Sequence, residues 1–180
     1  MASSIKGPGA VQSYNGAGLR IAIVHARWND RLIDSLIAGA KGQLLEAGVK
    51  EEDIVLESVP GSYELPLAAQ RIIHKTQDSE NNTAFDAVIA IGALIKGETM
   101  HFEYISAAVS HGLMRVQLDA HVPVIFGLLT LLTEQQGLER AGLAGERGHN
   151  HGEDWGRAAV ELGVKNREDW VAGGCRSEIG

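Results

Sequence analysis

A single cysteine, Cys175, stands in a polar stretch near the end of the 180-residue sequence, so no disulfide can close within the chain. That fits a reducing compartment and leaves no cysteine cluster for zinc. Long apolar runs are missing too: no stretch reaches the length that crosses a bilayer. Residues 1–18 hold Gly, Ser and Ala around one basic residue, Lys6, without the apolar centre of a secretory signal or the arginines of a transit peptide. The expected location is the cytoplasm. Positive charge is also short: 16 Lys and Arg against 23 Asp and Glu give a formal net charge of −7. Nucleic acid and anionic membranes are therefore poor partners, and an anionic substrate has to be held by a local group of donors. A small phosphorylated ligand fits that description; a long polyanion does not.

Familiar chemical signatures are absent as well. There is no Walker loop, no dinucleotide fingerprint among the glycines and no Gly-x-Ser-x-Gly elbow. The pair His149-Asn-His151 has no matching ligand spacing elsewhere, so a polar loop is read there and no metal site is expected.

What is present is an alternation. Residues 19–25 form a short, nearly continuous apolar run expected to be a buried strand. Asn29 or Asp30 then offers a helix cap, and Leu32, Ile33, Leu36, Ile37, Ala40 and Leu44 recur at helical spacing up to Gly48. A second strand is expected over 53–59, ended by Pro60-Gly61, and a helix over 62–76 with Leu65, Leu67, Ala68, Ile72 and Ile73 on its apolar side. Residues 77–83 read as a polar surface loop. Residues 87–95 form the strongest strand pattern, apolar throughout and so expected at the centre of a sheet covered on both faces. A helix over 100–118 follows, with Phe102, Ile105, Val109, Leu113 and Val116 as its inner stripe, then a strand over 122–129 and helices over 133–141 and 152–162. Four strand–helix alternations predict an α/β fold, a three-layer α/β/α sandwich around a four-stranded parallel sheet. The expected organisation is an arm at 1–18, one domain at 19–170 and a polar tail at 171–180.

Ligands of such sheets lie at the carboxyl ends of the strands, here residues 25–30, 60–64, 94–101 and 126–130. The segment Ile95-Lys-Gly-Glu-Thr-Met-His101 leaves a strand through glycine and opens a helix, which suits an anion. Thr99 is either a cap or an anion donor, and His101 either a solvated residue or a proton carrier. In Pro60-Gly-Ser-Tyr-Glu64, Glu64 is either a ligand acceptor or half of a capping box. The indole of Trp28 and the ring of Phe126 either stack on a flat heterocycle or pack as core. Arg140 sits where an arginine complements a helix dipole or clamps a phosphate.

In order and spacing, five stretches together resemble the lumazine synthase family. They are Arg27-Trp-Asn-Asp30, Val59-Pro-Gly-Ser-Tyr-Glu-Leu-Pro66, Ile91-Gly-Ala-Leu-Ile-Lys-Gly-Glu-Thr-Met-His-Phe-Glu-Tyr104, Val122-Pro-Val-Ile-Phe-Gly127 and Glu139-Arg-Ala-Gly142. The closing His149-Asn-His-Gly-Glu-Asp-Trp155 looks like the fungal members. The resemblance implies a flavodoxin-like sheet, with an N-terminal strand as an optional extension, and no cofactor. It implies condensation of 5-amino-6-(D-ribitylamino)uracil with 3,4-dihydroxy-2-butanone 4-phosphate to 6,7-dimethyl-8-ribityllumazine, the penultimate step of riboflavin biosynthesis.

By the same resemblance, Trp28 stacks on the pyrimidine, while Ser62, Tyr63, Glu64, Ala93, Leu94 and Ile95 hold the ribitylaminouracil. Glu98 and Thr99 fall at the phosphate and His101 at the proton donor. Phe126 and Arg140 match residues lent by a neighbouring subunit of a homopentamer, Arg140 to the phosphate. Asp154 is matched, across a length change, to an acidic residue near the histidine. Riboflavin is a further ligand the same site would accept. Three departures stand out. Glu98 occupies a place often held by a small residue, which restricts it to backbone donation; Lys96 replaces a frequent arginine; and residues 143–151 form a longer connection than in many bacterial members. A flavin carrier or a purely structural shell on the same fold would need neither the 95–101 constellation nor Arg140.

Overall fold

The computed structural model describes residues 12–77, 84–145 and 148–168. The expected arm up to residue 11, the polar loop from residue 78 to 83 and the chain beyond 168, with the expected tail, lie outside the described residues. Strand β1 (Ile21–Ala26) leads to helix α1 (Asp30–Glu46), and β2 (Ile54–Val59) leads through a single 3-10 turn at Ser62–Glu64 to α2 (Leu65–Gln77). Strand β3 (Ala87–Ile95) is followed by α3 (His101–Ala120), β4 (Val124–Leu131), the short α4 (Glu134–Arg140) and α5 (His151–Arg167). The sheet is four-stranded, parallel and ordered β2-β1-β3-β4, the flavodoxin-like order.

The alternation of strand side chains explains why the runs are apolar at every position. Ile21, Ile23, Ile89 and Ile91 point to the layer of α1 and α5, where Leu36, Leu44 and Val160 meet them. Ala22, Val24, Val88 and Ala90 point to the layer of α2 and α3, with Leu65, Ile73, Val109 and Leu113. Each fully buried Leu or Ile contributes about 1.5–3 kcal/mol. Helices α1 and α5 approach closely enough that a Cβ at Gly152 would run into the Leu36 carbonyl oxygen. Asn150 fastens that crossing: its Nδ2 donates to Ser35 O at 2.8 Å and its Oδ1 caps α5 by accepting from Gly152 N–H at 2.9 Å.

At the amino ends of the strands, buried Asp86 accepts from Arg20 N–H at 2.6 Å and from Arg167 Nε and Nη2 at 2.5 and 2.8 Å. The end of α5 is thereby bound to the starts of β1 and β3. Tyr14 packs against the core and Gly16 N–H donates to Ala47 O at 2.7 Å, so the stretch just before β1 lies along the end of α1.

Element boundaries differ from the sequence expectation by a few residues, most at α5, which begins one residue earlier and runs five further. Two core assignments change. Leu67, expected on the apolar side of α2, is 59% exposed, and Ala69 is buried in that layer instead. Phe102, at the head of the expected α3 stripe, is half-buried, whereas Val109, Leu113 and Val116 are fully covered. No described helix is long and apolar enough to cross a membrane.

Candidate active site

The sheet order reverses between β1 and β3, and the carboxyl ends of the strands there open into a cleft of about 550 Å³. Its lining draws on the turn after β1 (Trp28, Asn29), the turn after β2 (Pro60 to Glu64), the end of β3 (Ala93, Leu94, Ile95) and the start of α3 (His101, Ile105). Eight of the expected residues therefore meet in one place: Trp28, Ser62, Tyr63, Glu64, Ala93, Leu94, Ile95 and His101.

The indole of Trp28 is 72% exposed, which is incompatible with a core role, and its Cδ1 lies 3.4 Å from where a Cβ of Gly61 would stand. Next to it Asn29 adopts the left-handed conformation, φ 62° and ψ 44°, at the start of α1. Its side chain does not cap that helix; Nδ2 donates to Ala93 O at 2.9 Å, tying the β1 turn to the end of β3. Asn29, Pro60 and Gly61, which fall in the expected strand-end segments but were given no ligand role, also line the cleft, as does Ile105, expected in the inner stripe of α3. For Pro60 and Gly61 the signal was there, as the break between β2 and α2.

Glu64 Oε2 accepts from Gly61 N–H at 3.0 Å, so the helix-start role foreseen for this carboxylate is realised while it also faces the cleft. Ser62 is only 4% exposed, and its hydroxyl has no hydrogen-bond partner among the described residues. That hydroxyl sits 2.7 Å from where a Cβ of Gly92 would be, so glycine at this point of β3 makes room for it. A buried polar group without a partner is costly, so this hydroxyl at the cleft wall is open to a hydrogen bond from outside the chain.

His101 is the first residue of α3 and is exposed; its N–H reaches Thr99 Oγ1 at 3.4 Å. Glu98 and Thr99 lie in the turn between β3 and α3, both exposed, beside the cleft lining and not within it. The N–H groups of residues 97–100 bond to no other described residue, the arrangement that receives an anion at a helix start.

Phe126 and Arg140 are not part of this cleft in one chain. Phe126 projects, half-exposed, from edge strand β4, and Arg140 ends α4, where its Nη1 donates to Gln136 O at 3.2 Å. Asp154 likewise lies away from His101, on α5 in the opposite layer. It accepts from Arg157 Nη2 at 2.8 Å and stands 2.7 Å from His149 Nε2. Burial alone would raise its carboxyl, but the hydrogen bonds from Arg157 and His149 outweigh this and hold it below the ordinary value. Among the described residues, no group of three or more His, Cys, Asp or Glu is placed to hold a metal.

An exposed indole, a wall of polar groups, an anion-receiving turn and one imidazole are a set suited to joining a flat heterocycle to a small phosphate ester. The model of the 6,7-dimethyl-8-ribityllumazine synthase family matches residues 18–167, which include every element of the cleft. The chain belongs to the lumazine synthase family. Its relatives include the 6,7-dimethyl-8-ribityllumazine synthase of Schizosaccharomyces pombe, 58% identical over 92% of this chain and 98% of that protein. The enzyme of the same name from Pyricularia oryzae is 53% identical over 93% of this chain and 97% of its own length. That of Leifsonia xyli subsp. xyli is 42% identical over 89% and 94%. As a lumazine synthase family member, the chain is an enzyme of the transferase class that takes small-molecule substrates.

Proposed function

We propose that the chain condenses 5-amino-6-(D-ribitylamino)uracil with 3,4-dihydroxy-2-butanone 4-phosphate to give 6,7-dimethyl-8-ribityllumazine, phosphate and water, the penultimate step of riboflavin biosynthesis. The observation that carries it is the joining of Trp28, Glu64 and His101 around one cleft at the carboxyl ends of β1 to β3. The substrate amine is the nucleophile and no net oxidation occurs, so the protein has to gather two molecules, hold a leaving phosphate and move protons.

In this reading Trp28 stacks on the pyrimidine, and Ser62, Tyr63, Glu64 and the strand end Ala93-Leu94-Ile95 hold the ring and the ribityl chain. The Glu64 oxygen not engaged by Gly61 accepts from ribityl hydroxyls. The backbone of Glu98 and Thr99 receives the phosphate, with the Glu98 carboxylate directed to solvent, and His101 transfers protons at the carbonyl and the leaving group. Phe126 and Arg140 complete the site of a neighbouring copy, Arg140 on the phosphate. Riboflavin occupies the same place as a flat analogue of the product.

Sharing of this kind closes copies into a ring, and the family resemblance makes that ring a pentamer. It is supported by the uncovered face of α3, where Tyr104, Met114 and Leu118, with Met100 just before the helix, recur at helical spacing and are all more than half exposed. The domain spans residues 19–170 and the location is the cytoplasm. The test is direct: both substrates are mixed with the protein and the fluorescence of the lumazine is followed. Product formation supports the proposal; folded protein that yields none refutes it.

A further inference from the structure

We propose that the Lys96–Glu103 ion pair is a latch that holds the turn between β3 and α3 in its anion-receiving shape, so that both are positioning residues for the phosphate-bearing substrate. This rests on the reading of residues 97–100 as the phosphate site.

Lys96 is the first residue beyond β3, and its N–H is fixed to Leu131 O at 2.8 Å. Glu103 lies in the first turn of α3, and its Oε1 accepts from Lys96 Nζ at 2.5 Å. The pair therefore bridges the ends of the segment 97–102. That segment has little else to hold it. Apart from the bonds of the α3 ladder, its bonds are the 3.4 Å approach of His101 N–H to Thr99 Oγ1 and the 3.2 Å bond that Met100 O accepts from Tyr104 N–H. At Gly97 no atom lies within 4 Å of an added Cβ, so packing does not fix that residue either. A turn whose N–H groups are to face a ligand cannot be closed by those same groups. Closing it through a side-chain pair from outside leaves them free.

The Glu103 side chain is a third exposed, but one of its two carboxylate oxygens is covered. Glu103 Oε2 has no partner among the described residues, so Lys96, on Oε1, is the side-chain partner the carboxylate has. The hydrogen bond from Lys96, with a backbone contribution, holds the Glu103 carboxyl below its ordinary value, so the pair is charged throughout the neutral range. The lysine's charge is directed at the carboxylate. Loss of either partner lets the turn sample shapes that do not bind, and apparent affinity falls by the fraction of time spent in them.

The test is a kinetic cycle on the intact enzyme, with Lys96→Met, Glu103→Gln, the double variant and the charge-reversed Lys96→Glu/Glu103→Lys. Each single variant is expected to raise KM for the butanone phosphate about three- to tenfold while KM for ribitylaminouracil stays within about twofold. The double variant is no worse than either single one, and charge reversal recovers most of the loss. A rise in KM with Lys96→Met but none with Glu103→Gln would make the lysine a direct phosphate ligand and overturn the latch. A parallel rise of both KM values in the single variants would reduce the pair to a fold contact and overturn it too. Failure of the underlying functional reading looks different, because the unmodified enzyme would then form no lumazine.

Discussion

Asn29 donates from its Nδ2 to the Ala93 carbonyl oxygen at 2.9 Å, and it does so from a left-handed backbone conformation that places Trp28 at the mouth of the cleft. The bond crosses from the turn after β1 to the end of β3, the two strands between which the sheet order reverses. Asparagine suits the position twice, because it tolerates positive φ and carries a donor of the right length.

Two substitutions separate those properties. Asn29→Ala loses both and should cost about 1–3 kcal/mol of stability, from the strained backbone and the lost hydrogen bond. Asn29→Gly relieves the backbone strain but not the missing tie. It should recover part of the stability while keeping a raised KM for ribitylaminouracil. Thermal melts and steady-state kinetics on the two variants check this.

Ser62 sets stability against binding. Its buried hydroxyl has no partner in the chain, so Ser62→Ala should leave stability unchanged or raise it by up to about 1 kcal/mol. The same variant should bind ribitylaminouracil about tenfold more weakly, since a ligand group then lacks its partner. Gly92→Ala, which drives a methyl to within 3 Å of Ser62 Oγ, Leu65 and Leu128, should destabilise by about 1–3 kcal/mol. Denaturant unfolding and analogue titration provide both readouts.

His101→Ala should lower kcat by about ten- to hundredfold, at or below the low end of what a positioned acid–base group supplies, because bringing the two substrates together provides much of the acceleration. Retained binding of both substrates with complete loss of turnover would contradict that balance. Single-turnover fluorescence separates the two steps.

Acid should weaken the fold in two stages. Burial holds the His151 imidazole below 6.5, against the pull of Asp154 and with added repulsion from His149 and Arg140. The unfolded chain therefore takes up this proton first, and stability falls as the pH drops below about 6.5. Glu103 and Asp154 are both held low, so what they contribute is present above about 4.5 and is lost as the pH falls further. Thermal midpoints across this range should fall toward acid, and His151→Asn should flatten the upper stage.

Burial in two layers is what made the sheet readable in the sequence. Residues 87–95 are apolar at every position because α1 and α5 cover one face and α2 and α3 the other, and the observed strand has the expected bounds. Once strands and helices alternate, the carboxyl ends are the place to look, and eight foreseen residues meet there. Leu67 misled because periodicity marks apolar residues whether or not their own chain covers them. The role of Asn29 was hidden because its partner lies 64 residues away, in a contact that only the sheet order creates. Within one chain Asp154 lies on α5, in the layer opposite His101, so any approach of the two residues belongs to neighbouring copies, as for Phe126 and Arg140.

A crystal of the protein soaked with an unreactive analogue of ribitylaminouracil and with inorganic phosphate tests the account most directly. The ring should lie against the Trp28 indole with its polar edge toward Ser62 and Glu64, and the phosphate should sit on the N–H groups of residues 97–100 beside His101. A ligand bound elsewhere, with the indole bare and that turn empty, would contradict it.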